Sequence, residues 1–199
     1  MKWIVFIFLG LISVASSGQL LSLEALDTTK VFRSIESALI NPNEVYRLDL
    51  SKQKLEEFPK EVFEFKNLQE LNLSKNKIQV IPDEIIKLKN LQRINFSKNK
   101  ISEIPEAMLI LSNMKSVDLS DNFLDRIPEN INQLKSLKIL ILWDNPISVY
   151  PNSLGLLEEL EILDLLNNQM NSDTQTRLNN ILPQTRIIMS PPCRCQDGE

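Results

Sequence analysis

The sequence predicts an α/β repeat solenoid, a coil in which every turn contributes one short strand and one short helical segment. Three observations carry this prediction. Apolar residues recur with a fixed period of 23 residues, in six units that start at Val45, Leu68, Leu91, Met114, Leu137 and Leu160 without an insertion. A carboxamide stands at one fixed place in each unit, and five of the ten prolines share another. Such a period marks repeat architectures because one unit cannot bury its apolar face alone, and stacking supplies the missing surface.

Taken in order, Met1 and Lys2 precede an apolar run from Trp3 to Val14, followed by the small residues Ala15, Ser16, Ser17 and Gly18. This is the layout of a secretory signal peptide, assigned to residues 1–17, with cleavage expected between Ala15 and Gly18. The apolar run is shorter than the ~20 residues that a membrane-spanning helix needs. Residues 19–44 are expected to form an N-terminal helical cap. Within them Leu23 to Ile40 reads as one amphipathic helix, with Val31, Ile35 and Leu39 at four-residue spacing and Asn41-Pro42 ending it.

The repeat domain is placed at residues 45–190. Each unit has apolar residues at its first, fourth and sixth places, as in Val45, Leu48 and Leu50 or Leu160, Leu163 and Leu165, which is a strand's alternation. Three places later come Asn76, Asn99, Asn122, Asn145 and Asn168, with Gln53 in the first unit. A carboxamide both donates and accepts, so stacked copies can form a ladder that bonds the loop backbone where the chain leaves the strand. Leu55, Ile78, Ile101, Leu124, Ile147 and Met170 continue the core. Pro59, Pro82, Pro105, Pro128 and Pro151 then fix φ at the start of a convex segment. Pairs such as Ile85 and Leu88, or Met108 and Leu111, close it with helical spacing, as a single turn or a 3₁₀ segment. The sixth unit carries Thr174 in place of proline and continues through Leu178 and Ile181 as a longer helix. Ile187 and Met189 then read as a C-terminal cap strand, one residue later than the strict period. Residues 191–199 form a tail containing Cys193 and Cys195. Separated by one residue, these could close only a strained ring, and two thiolates fall short of a four-ligand metal site.

The run Leu68-Gln69-Glu70-Leu71-Asn72-Leu73-Ser74-Lys75-Asn76-Lys77-Ile78-Gln79-Val80-Ile81-Pro82 resembles the leucine-rich repeat family, and the likeness covers about Val45 to Ser190. The unit length is similar to the 23-residue repeats of Ras-suppressor-type proteins and plant intracellular Ras-group repeats. The resemblance implies a right-handed horseshoe with a parallel sheet on its concave side and short helical or 3₁₀ segments on its convex side. It also implies a role in recognising a protein or peptide. Extracellular members often carry four-cysteine flanks at both ends, and this chain departs from that pattern.

Composition narrows the function. With no histidine among 199 residues, the commonest general base and every imidazole metal ligand are missing. Four glycines leave no phosphate-cradling loop, and 22 basic against 26 acidic residues, a formal charge of −4, argue against nucleic acid as a partner. No cofactor and no metal is expected. Asp49 and Asp118 could be imagined as a hydrolytic carboxylate pair, yet three repeats would separate them by ~14 Å. The chain is therefore read as a non-catalytic, secreted, monomeric binding module, the alternative being a structural or adhesion component of a cell envelope or matrix.

Candidate binding residues lie between the buried positions. The first outward column is Arg47, Glu70, Arg93, Ser116, Ile139 and Ile162; the second is Asp49, Asn72, Asn95, Asp118, Ile141 and Asp164; the third is Ser51, Ser74, Ser97, Ser120, Trp143 and Leu166. Ile139, Ile141, Trp143, Ile162 and Leu166 are expected to form an apolar patch on the concave side, and such patches mark partner sites. Arg47, Glu70 and Arg93 are a second candidate, reading a charged partner. Lys52, Lys54, Lys75, Lys77, Lys98 and Lys100 form a basic row along one rim of the first three units. Such a row could steer an acidic protein, glycan or membrane surface.

Overall fold

A computed structural model describes residues 20–192; the segment assigned to a signal peptide and both cysteines lie outside them. Eight parallel strands follow one another in chain order across a single sheet. They are β1 (Val31–Phe32), β2 (Arg47–Asp49), β3 (Glu70–Asn72), β4 (Arg93–Asn95), β5 (Ser116–Asp118), β6 (Ile139–Ile141), β7 (Ile162–Leu165) and β8 (Arg186–Met189). From β2 to β7 each residue pairs with the one 23 places on, as in Arg47 with Glu70 and Glu70 with Arg93. Every place in the repeat thus becomes a straight column across the sheet. Between β7 and β8 the pairing of Ile162 with Arg186 makes the offset 24.

The first, fourth and sixth residues of all six units are at most 3% exposed. Alternation turns the residues between them to the opposite, open face of the sheet. One hydrophobic core runs the length of the coil from Phe32 to Leu182. At ~1.5–3 kcal/mol for each large aliphatic side chain withdrawn from water, this core is the main source of stability.

On the convex side, four units carry 3₁₀ segments (Lys60–Glu64, Asp83–Lys87, Ile131–Gln133 and Asn152–Leu156), and the third carries a short α-helix, Glu106–Leu109. The carbonyl of each repeat proline accepts the N–H three residues on, from Val62, Ile85, Met108, Ile131 and Leu154. Proline thus starts the turn with its φ already set.

The asparagine ladder forms as expected in the interior. Asn99 donates to the carbonyls of Leu73 (2.9 Å) and Phe96 (2.8 Å) while its Oδ1 accepts the N–H of Ile78 (3.0 Å). Asn76, Asn122 and Asn145 repeat the arrangement. Gln53 does not take part as a buried member. It is exposed, and its amide donates to the carbonyl of Arg33. A second ladder lies at the last place of the unit, where Asn67, Asn90 and Asn113 donate to the carbonyls of Asn43, Lys66 and Lys89, one coil back.

The N-terminal cap differs from the single helix expected between Leu23 and Ile40. It is a helix α1 (Leu23–Asp27), strand β1 and a second helix α2 (Ile35–Leu39). The hydroxyls of Thr28 and Thr29 donate to the carbonyls of Ala25 (2.7 Å) and Leu26 (2.8 Å), satisfying the end of α1 and stopping it. Val31 and Phe32 then pair with Arg47 and Leu48, covering an edge that the first repeat would leave open. Ser34 caps α2 through the N–H of Ser37, and Ala38 is the buried residue there, while Leu39 is 44% exposed. With the third unit's α3 (Glu106–Leu109), the final helix is α4 (Ser172–Ile181), capped by the Asn171 side chain. Gly155 makes room for α4: a Cβ there would sit 2.8 Å from the Ile181 carbonyl oxygen.

Replacing Asn99 with alanine leaves the buried N–H of Ile78 unpaired and removes one of two donors from each of the Leu73 and Phe96 carbonyls, and is expected to destabilise the protein by about 2 kcal/mol. Gln53→Ala should cost under about 1 kcal/mol. Urea unfolding monitored by circular dichroism separates the two.

Candidate functional site

The open face of the sheet is built from the first two outward columns, whose members from Arg47 to Asp164 are all half-buried. The third column departs from its expected exposure. Ser74, Ser97 and Ser120 are buried, because the chain is already turning inward there. The second column explains why. Asp49, Asn72, Asn95, Asp118 and Asp164 each accept, through Oδ1, the backbone N–H two residues on, at 2.9–3.0 Å. These are local turns that end each strand. Asp49 and Asp118 are therefore each engaged in their own coil. Ile141 is the single member of this column that cannot accept, so the fifth unit gives up the turn bond and presents an apolar side chain.

Arg47, Glu70 and Arg93 are brought together, but toward one another and toward α1. Glu70 lies between the two guanidiniums, 3.0 Å from Arg47, and also pairs with Arg93. Asp27, at the end of α1, pairs with Arg93, and its carbonyl accepts from Arg47 at 3.0 Å. Burial opposes the charge of Arg93, and the hydrogen bond it donates to Asp27, with the field of Glu70, outweighs this, so its pKa is raised. The same contact with Arg93 holds the Asp27 carboxyl below the ordinary aspartate range. Just before α1, the N–H of Leu21 donates to Gln69 and its carbonyl accepts from Gln92, both buried. The N-terminal segment is thus fastened across strands β2 to β4.

The apolar group is assembled at the other end. Ile139 pairs across the sheet with Ile162, and Ile141 lies in one row with Asp164 and Ile188. Ile139, Ile141, Trp143, Ile162 and Ile188 are half-buried, and Leu166 is 39% exposed. Ile188 was missed because the columns were drawn at the strict period, and the extra residue before β8 shifts them. The alternation of Ile187 and Met189 already implied that the residue between them faces outward. Strand β8 extends the sheet beside this patch; of the described residues after it, Ser190 is half-buried and Pro191 and Pro192 are exposed. The Nζ of Lys98 stands 5.8 Å from the Trp143 ring centroid and 3.7 Å from Asp121.

The lysines of the basic row are all exposed. Four of them, Lys52, Lys54, Lys75 and Lys98, have a left-handed backbone with φ of 59–60°; Lys52, Lys75 and Lys98 stand at one place of the unit, which Asp121, Asp144 and Asn167 hold in later units. Asparagine and aspartate tolerate that conformation, whereas lysine does not favour it. Sequence reasoning found the row but not this conformation, which the Asp and Asn in the other three units could have disclosed.

The leucine rich repeat family model matches residues 43–101 and 66–124. No curated protein matches the chain in sequence. Among solved structures, a leucine-rich repeat protein of Leptospira interrogans is 28% identical with a TM-score of 0.68, covering 83% of this chain and 49% of its own. Internalin C2 of Listeria monocytogenes is 22% identical with a TM-score of 0.64, covering 74% of this chain and 62% of its own. The ectodomain of the Arabidopsis receptor kinase HAESA, in complex with a peptide hormone, is 26% identical with a TM-score of 0.64, covering 80% of this chain and 28% of its own. With its 23-residue coils, asparagine ladder and open parallel sheet, the chain is a leucine-rich repeat protein. It spans about half the length of the Leptospira protein. Among the described residues, no group of three or more potential ligands could hold a metal, and no helix is long and apolar enough to cross a membrane.

Two tests follow from this geometry. Asp27→Asn should lower the hydrogen-exchange protection of α1. In the unaltered protein that protection should be complete above about pH 4, the unfolded aspartate range, and be lost as pH falls through the lower folded pKa of Asp27. Lys75→Asn, which relieves a left-handed lysine, should raise stability by about 0.5 kcal/mol in urea unfolding.

Proposed function

We propose that this protein is a non-catalytic, exported recognition module that works as a single copy and binds a protein or peptide on the concave face, at the apolar patch of strands β6 to β8. The observation that carries the reading is Ile141. Five members of its column close a turn through a side-chain oxygen, and this unit alone replaces that bond with an apolar group beside Ile139, Trp143, Ile162 and Ile188. A local rule broken at one place, with no structural gain in view, is expected at functional sites. Contiguous exposed apolar side chains around a tryptophan are suited to anchoring a partner. Leucine-rich repeat proteins typically serve as interaction scaffolds, and the HAESA ectodomain holds a peptide hormone. Export is supported by the charged start and apolar run at Met1 to Val14.

In contrast, Arg47, Glu70 and Arg93 hold α1 in place, so they frame the patch rather than lead the recognition. Replacing Ile141 and Trp143 together by serine should weaken partner capture from extracellular extract by about thirtyfold, as expected for losing a tryptophan anchor. The unfolding midpoint should stay unchanged. A photocrosslinking residue at position 139 should mark the same partner, and one at Val80, on the far side of the coil, should not. Undiminished capture by the double variant, or its failure to fold, would sink this reading.

A further inference from the structure

We propose that the lysine rim and the apolar patch form one continuous binding surface, fitted to a protein segment that carries clustered carboxylates beside a short apolar run. This rests on the reading of the patch as the partner site and names the chemistry of that partner.

The rim is polarised along the coil. At the left-handed place Lys52, Lys75 and Lys98 give way to Asp121, Asp144 and Asn167. Two places further on, Lys54, Lys77 and Lys100 give way to Phe123, Pro146 and Gln169. Six lysines thus gather on three coils of a chain whose formal charge is −4. Lys77 is paired with Glu56 at 2.9 Å and Lys98 more loosely with Asp121 at 3.7 Å. Among the described residues Lys52, Lys54, Lys75 and Lys100 have no ion-pair partner. A row of six like charges with ion-pair partners at only two of them is self-repelling, and an anionic partner would relieve it.

Lys98 joins this row to the patch, because its ammonium lies between Asp121 and the face of Trp143. A partner carboxylate could displace Asp121 there while an apolar neighbour packs on the indole. Asp121 and Asp144 would repel carboxylates placed over the later coils, so the charge pattern sets one orientation: anionic part over units one to three, apolar part over β6 to β8. From Lys52 to Ile188 there are six strand intervals of ~4.8 Å, about 29 Å, which an extended segment of about nine residues covers. A general polyanion, whether a sulfated glycan or an acidic membrane, would use the lysines but leave the apolar half of the surface unfilled.

The test is selection of a displayed random library of peptides about twelve residues long on the full protein, followed by fluorescence anisotropy of the enriched peptides. Enriched peptides should combine Asp or Glu clusters with adjacent Leu, Phe or Trp. Their affinity should fall at least about tenfold in the K52E/K75E/K100E variant, in about 0.3 M salt, and when their acidic residues become amides. It should also fall at least about tenfold in the I141S/W143S variant. No enrichment, peptides without acidic bias, or binding indifferent to lysine reversal would overturn the proposal. Peptides that ignore lysine reversal yet respond to I141S/W143S leave the apolar-patch reading standing; peptides that respond to neither remove both. If lysine reversal abolishes binding only to heparin or to phosphatidylserine vesicles, the rim is a separate polyanion surface and the composite site is wrong.

Discussion

Each coil must turn away from its strand while the turning backbone is shut off from water, and the buried asparagine at that corner makes this possible. Its oxygen accepts an N–H of the coil before it, and its amide donates to carbonyls of its own coil and the preceding one. An apolar side chain of similar size would leave that N–H unpaired inside the core and take a donor from each carbonyl. The 23-residue spacing and the straight columns both follow from keeping these carboxamides in line.

The candidate site is what remains after the fold has used its polar surface. One column of the open face is occupied by strand-ending turns, and the polar half of the other is tied to α1 by Asp27, Arg47, Glu70 and Arg93. Side chains with no such duty are concentrated at the C-terminal end and along the lysine rim. Stacking repeats constrains every coil equally, so departures from the common pattern, such as Ile141 and Trp143, are the positions on which the proposed site rests.

The repeat itself was fully legible in the sequence, because its buried places recur with the period and burial is a property each unit enforces on the next. The ends were not. The stretch from Leu23 to Ile40 has helical spacing, yet β1 forms there because the unpaired edge of β2 takes Val31 and Phe32, a tertiary demand that no local pattern records. Among the site residues, Ile139, Ile141, Trp143, Ile162 and Leu166 could be placed from alternation alone. Ile188 escaped because the last strand enters one residue late. That Arg47, Glu70 and Arg93 serve α1 was hidden, since Asp27 lies outside the periodic region and reaches Arg93 only through the fold. The asparagines at 67, 90 and 113 recur with the period too, but only three of the six units have them, too few to stand out beside the leucines.

The bond between Leu21 and Gln92 joins residues 71 apart, whereas neighbouring coils meet at about a third of that distance in sequence. During synthesis Leu21 must wait for the third coil before its final contacts exist. Coils in the middle can be laid down one upon the next as they appear. The segment before α1 therefore ties coils one to three together, a link that the later coils, each joined to its neighbours, do without.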